Sequence, residues 1–217
     1  MKENKQHNLI LASNSPRRKE LLGWLDIPFQ IIGSNIEEIS KEENPKDLAI
    51  DLAVQKGDAV WKELNDAHGK YPFVVSSDTI VVLGNRVYGK PANREEAKEM
   101  LLSLSGKEHQ VITSVYMKTR SLETEEVISR KFAVETDVTF SKITEDLLTP
   151  YLDSKESMDK AGAYGIQGKG LVFVQSLKGS YSNVVGFPLA EFIDEFRKFL
   201  SQNREEELYS WREKFQK

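Results

Sequence analysis

Three observations predict an α/β protein built on a mixed, twisted sheet with flanking helices. Short β-rich runs alternate with amphipathic helical runs from residue 9 to residue 64, the pattern of crossover units that place strands in parallel. Residues 73–83 form a long β-rich run closed by Gly84-Asn85, a two-residue hairpin signal, with residues 86–88 as the returning strand. Two further β-rich runs, 110–118 and 127–140, follow with no helical pattern between them. Crossovers and hairpins together require a sheet that is parallel in one part and antiparallel in another.

Residues 9–12 read as a short buried strand. Ser15 is a good N-cap residue and Pro16 suits the first helical position, so a helix starts there. Arg17 and Arg18 then fall in the first turn, where the helix dipole and unpaired N–H groups already make the end positive. Two guanidiniums there call for something negative. With the free amides and the hydroxyls of Ser13 and Ser15 they form a candidate phosphate site. The bland alternative is that both arginines point to water or pair with surface carboxylates.

A strand at 27–32 leads into the polar segment 33–38, which carries Glu37 and Glu38. Asn44 and Pro45 open a second helix whose apolar stripe is Leu48, Ala49, Leu52, Ala53, Val60 and Leu64, ending near Gly69. Asn93 opens a third, with Glu96 completing a capping box and Gly106 as the stop. Thr144 caps a short helix that Pro150 bends or shortens. A glycine-rich loop spans 161–170, strands are expected at 171–175 and 182–185, and a final helix at 189–200. Residues 202–217 are mainly charged and read as a tail that extends or frays that helix.

At 217 residues the chain allows one large domain or two lobes around a cleft. Its 39% hydrophobic and 29% charged residues indicate a soluble protein with exposed charged helices. It carries neither a run of about eighteen apolar residues nor a secretory signal pattern, so a cytoplasmic protein with no membrane partner is expected. With no cysteine, disulfides, thiolate zinc sites and a Cys nucleophile are excluded. His7, His68 and His109 are scattered, so a bound metal would use oxygen ligands. The net charge of −4 gives no support to extended nucleic-acid binding.

Asp78 interrupts a run apolar on both sides, where an unpartnered carboxylate pays a large desolvation penalty. It calls for a cation, a metal or several donors, unless it marks a turn at the strand's end. Lys56 lies between Leu52 and Val60 on the core-facing stripe, so its ammonium is either aimed inward or snorkels from a stem that covers apolar surface. Lys90 follows the hairpin, near Asp78 in chain order. Paired with Asp78 across a cleft, one of Glu37 and Glu38 would supply a second hard oxygen ligand for a divalent cation. The loop 162–170 fits neither a P-loop nor a dinucleotide-binding fingerprint; Gln167 within it has an amide suited to reading the edge of a base.

Four motifs in order, Ser13-x-Ser15-Pro16-Arg17-Arg18, Ser77-Asp78-Thr79, Gly89-Lys90-Pro91 and Asp159-Lys160 running through Tyr164, Gly165, Ile166 and Gln167 to Gly168, make the chain closely resemble the Maf family of nucleotide pyrophosphatases. The likeness spans residues 8–199. It implies a two-lobed α/β fold with a deep central cleft, similar to the inosine triphosphate pyrophosphatases and often dimeric. It also implies cleavage of nucleoside triphosphates to monophosphate and pyrophosphate with Mg2+ or Mn2+. By position, Asp78 matches the family's general base or metal ligand and Glu38 its acidic partner. Ser13, Arg17, Arg18, Lys56 and Lys90 match phosphate-binding positions, and Arg17, Thr79 and Gln167 match positions that set base preference. Thr79 and the loop resemble the branch acting on dTTP and UTP, with CTP or modified pyrimidines left open. An alternative is a nucleotide-sensing regulator of septum formation with little turnover. Two departures stand out: Ser77 replaces a small apolar residue or glycine, and Gly57 replaces alanine, which loosens the helix by about 1 kcal/mol.

Overall fold

The computed structural model describes residues 5–201 and 210–215. Its strands are β1 (Asn8–Leu11), β2 (Phe29–Ile31), β3 (Pro72–Leu83), β4 (Arg86–Tyr88), β5 (Glu108–Arg120), β6 (Val127–Phe140) and β7 (Val174–Lys178). The helices are α1 (Pro16–Gly23), α2 (Pro45–Glu63), α3 (Arg94–Leu104), α4 (Glu145–Asp153), α5 (Tyr181–Val185) and α6 (Leu189–Leu200). One seven-stranded sheet runs β2-β1-β3-β5-β6-β7, with β4 paired to the far end of β3. β1 is parallel to both β2 and β3, because α1 and α2 carry the chain back between them. Every later pairing is antiparallel. The sheet is mixed for the reason the sequence pattern suggests: helical crossovers come first and hairpins after.

β3 is the strand on which the architecture turns. Phe73 and Val75 at its start belong to a core packed by α1 and α6, which includes Leu21, Leu22, Phe192 and Phe196. Val81 near its end belongs to a second core packed by α3 and α4, which includes Leu101, Leu104, Phe140 and Leu148. Asp78 lies on β3 between the residues that join the first of these cores and the residue that joins the second. Burying each of these aromatic and aliphatic side chains contributes about 1.5–3 kcal/mol, enough to hold the strand rigidly between them.

Local differences from the sequence pattern have local causes. Residues 182–185 are helical instead of extended: Gly186, at φ 119°, closes the turn with its N–H on Ser182 O and Asn183 O. Buried Asn183 braces that turn by donating to Val111 O (3.0 Å) and Thr136 Oγ1 (2.9 Å), contacts that override the strand preference of Val184 and Val185. Residues 171–173 complete a 3-10 turn, so the strand begins at Val174. At α3, Asn93 caps Glu96 N as expected, but the Glu96 carboxylate accepts from Ala92 N (2.7 Å), one residue upstream of the reciprocal bond. α6 ends at Leu200. Within the charged segment 202–217, residues 202–209 and 216–217 lie outside the described residues. Trp211 and Phe215 return to the first core, and His7 N donates to Lys214 O (2.7 Å). Residues 210–215 are thus docked, because two buried aromatics outweigh the charges around them.

Candidate active site

A cavity of about 500 Å³ opens where the two cores meet. All ten candidate phosphate-binding, catalytic and base-selecting residues line it, drawn from the β1–α1 loop, α1, α2, β3, the segment after β2, the segment after β4 and the glycine-rich loop.

Its inner wall is an ionic cluster centred on Lys56. α2 packs on β3, where Ser76 Oγ donates to Ala53 O (2.6 Å), and this packing aims Lys56 inward. Lys56 Nζ donates to Asp78 Oδ1 (2.5 Å) and lies 3.0 Å from Glu38 Oε1. The Lys56 and Asp78 side chains are only 14% and 10% exposed, which favours the inward reading over the snorkelling one. Burial raises the pKa of Asp78, opposed by the charges of Lys56 and Arg18, while Glu38 pushes it the same way as burial. Gly57 is needed for this close approach: a Cβ there would sit 2.6 Å from both Ser76 Oγ and Tyr116 Cδ1. The expected loosening of α2 therefore buys contact between helix and sheet.

Beside it, α1 delivers a second cation. Ser15 caps the helix by accepting from Arg18 N (3.5 Å), with Pro16 at the first position. Arg18 donates through Nε to Gly186 O (2.9 Å), through Nη1 to Ser13 Oγ (3.3 Å) and through Nη2 to Thr79 Oγ1 (3.1 Å). Ser13 Oγ also accepts from Ser15 N (3.2 Å), so both its lone pairs are engaged and its proton is left to donate. A hydroxyl restricted to donation beside a guanidinium and a helix N-terminus suits an anionic oxygen.

The outer wall is different. Arg17 Nη1 pairs with Asp159 Oδ2 (2.8 Å) across the cavity, and Asp159 Oδ1 also takes Lys160 Nζ (2.6 Å). Of the two arginines, Arg17 thus follows the carboxylate-pairing reading. Lys90 stands exposed at the rim, and Gln167 is half-buried in the glycine-rich loop. Nothing local in the sequence marks Asp159 as the partner of a residue 142 positions away. Thr113 and Asn183, which stand behind Thr79, carried no signal at all: a threonine in a β-run is ordinary.

Asp78 and Glu38 approach Lys56 Nζ from separate segments, and both carry hard oxygen donors of the kind that hold magnesium or manganese. Among the described residues no group of three or more His, Cys, Asp or Glu could hold a metal ion. A divalent cation held by these two carboxylates would need further oxygen ligands from water or phosphate, as Mg2+ accepts.

The profile of the family described as "Maf-like protein" matches residues 8–199. The chain is 47% identical over 192 residues to a dTTP/UTP pyrophosphatase of Bacillus cereus (strain G9842), covering 88% of this chain and 95% of the relative. Proteins of the same name from Bacillus anthracis and Bacillus mycoides (strain KBAB4) are 46% and 45% identical, with the same coverage.

Proposed function

Since the chain belongs to the Maf-like protein family, we propose that it hydrolyses dTTP and UTP to the nucleoside monophosphate and pyrophosphate. The observation that carries this reading is the buried carboxylate Asp78 sharing one cavity with Lys56, Arg18, Arg17 and Lys90. Five cations, Lys160 included, around a site with three acids, Asp159 included, leave an excess of positive charge suited to a triphosphate tail, and the buried acid Asp78 is suited to the chemistry upon it.

In this mechanism Ser13, Arg18 and the α1 N-terminus bind phosphate oxygens, and Lys56, Lys90 and Arg17 neutralise the remaining charge. Water attacks the α-phosphorus and loses its proton to the general base or to solvent, the bond from that phosphorus to the bridging oxygen breaks, and pyrophosphate leaves carrying the bond's electron pair. Mg2+ or Mn2+ held by Glu38 and Asp78 would screen the triphosphate and polarise a phosphoryl oxygen. Two roles are open to Asp78, metal ligand and general base, and pH–rate profiles of Asp78→Asn and Glu38→Gln separate them. Thr79 and Gln167, with Arg17, select the base. The reading extends to a single domain over residues 1–217 acting as a cytoplasmic homodimer, with the triphosphate as partner and neither nucleic acid nor membrane. No described helix is long and apolar enough to cross a membrane.

The test is pyrophosphate release from a nucleotide panel with Mg2+. Turnover of dTTP and UTP at least tenfold above ATP and GTP is expected. Tight binding without pyrophosphate release would overturn the enzymatic reading in favour of a nucleotide sensor.

A further inference from the structure

Behind Thr79 runs a chain of hydrogen bonds whose direction can be worked out from its two ends. Thr79 and Thr113 face one another in register across β3 and β5, with their Oγ1 atoms 3.0 Å apart. At the cavity end, Arg18 Nη2 lies 3.1 Å from Thr79 Oγ1, and a guanidinium can only donate. At the buried end, Thr113 Oγ1 lies 2.8 Å from Asn183 O, and a carbonyl can only accept. Thr113 has one proton and must give it to that carbonyl, since otherwise two oxygens would face each other at 2.8 Å with no hydrogen between them. Thr113 Oγ1 therefore accepts from Thr79, and the Thr79 proton points away from the cavity. One Thr79 lone pair is taken by Arg18, so the hydroxyl offers the cavity a single acceptor and no donor.

We propose that Thr113 is a positioning residue for base selection, which fixes the Thr79 hydroxyl as a hydrogen-bond acceptor and so favours bases with an imide N3–H, thymine and uracil, over cytosine. The proposal rests on the reading that Thr79 faces the base. Thymine and uracil present a donor at N3, whereas cytosine presents a lone pair there. An acceptor fixed by two neighbours in a buried wall cannot turn its proton toward that lone pair, and an unmatched polar contact discriminates more strongly than a difference in size. Thr113 is fully buried and touches no substrate, so its effect passes through Thr79 alone.

Thr113→Val keeps the branched shape on the strand and removes the hydroxyl, and Asn183 O keeps the Gly186 N–H at 3.0 Å. Released from Thr113, Thr79 can donate into the cavity. The UTP to CTP ratio of kcat/KM for pyrophosphate release is expected to fall about tenfold, through a gain on CTP, with UTP changed less than threefold. Thr113→Ser restores the hydroxyl and is expected to restore the ratio, which a packing effect would not do. A second measurement needs no variant: 3-deaza-UTP replaces the N3–H donor with C–H and is expected to be turned over at least tenfold more slowly than UTP by the unaltered protein. An unchanged ratio in Thr113→Val, an equal loss on all substrates, or 3-deaza-UTP matching UTP would overturn the assignment of Thr113 while leaving the pyrophosphatase reading in place. Absence of pyrophosphate release from UTP, dTTP and CTP alike would overturn that reading and the assignment with it.

Discussion

On the inner wall of the cavity, Lys56 and Asp78 sit on a helix and a strand and are nearly closed to water, whereas on the outer wall Asp159 belongs to a loop and its side chain is 56% exposed. Both walls use ion pairs of similar length. Their energetic meaning differs, because a charge pair in the interior is strongly coupled while an exposed pair is screened and contributes about 0–1 kcal/mol. The inner wall thus holds its charges fixed, as the proposed chemistry on a phosphate requires. The outer wall can exchange partners, as the proposed admission and selection of a nucleotide require.

The largest expected effect is on the inner wall. Asp78→Asn keeps the shape of the side chain and removes its charge, and pyrophosphate release from dTTP should fall by about three orders of magnitude, the scale on which a preorganised charged group acts. Lys90→Ala at the rim should cost about tenfold, mostly in KM. Equal losses in the two variants would erase the distinction between the walls.

Next in size is an acid weakness in the cores behind the cavity. His7, behind the first core, and His109, behind the outer wall through its 2.8 Å contact with Tyr164 Oη, are both buried, and burial lowers each pKa to about 4. The folded state holds both neutral, while in the unfolded chain they take up protons near the ordinary value of about 6.5. Their stabilisation is therefore complete above pH 6.5 and is lost as pH falls toward 4, by about 3 kcal/mol for each. Urea unfolding across pH 7 to 4 measures the slope. His109→Phe should remove roughly half of it, and an unchanged slope would assign the acid sensitivity elsewhere.

Gly57→Ala probes whether the inner wall has slack. Helix propensity alone predicts a gain of about 1 kcal/mol, but the added methyl meets Ser76 Oγ and the Tyr116 ring at 2.6 Å. Overpacking should win, giving a net loss of about 1–2 kcal/mol in chemical denaturation. A gain in stability would mean that α2 can back away from β3 without cost.

What could be seen in the sequence follows the same division. Asp78 and Lys56 were visible because each violates its own element, a carboxylate in a β-run and an ammonium on an apolar stripe. Arg17 and Arg18 were visible because they oppose the dipole of their helix. The hairpin, the α1 cap and α6 were visible because each rests on neighbours a few positions apart. Asp159 as the partner of Arg17, the bonding of Thr113 and the docking of Trp211 and Phe215 were not, since each depends on contacts between segments remote in the chain. The helical turn at 181–185 was hidden for a related reason: Asn183 is held by β5 and β6, not by its own neighbours.

The smallest effect on stability belongs to Asp159→Asn, and it tests the outer wall most directly. The exposed Arg17–Asp159 pair should contribute less than 0.5 kcal/mol, so the melting temperature should scarcely move. The consequence for binding has the opposite sign from an ordinary loss of contact. Asp159 holds a cation that would otherwise meet a phosphate, and its own charge repels the triphosphate. Removing that charge while keeping a hydrogen-bonding side chain should lower the KM for dTTP two- to threefold at low salt, an effect fading as ionic strength rises. Arg17→Ala should raise KM about tenfold under the same conditions. If Asp159→Asn raised KM as Arg17→Ala does, the pair would be a fixed clamp, and the outer wall would obey the same rule as the inner one.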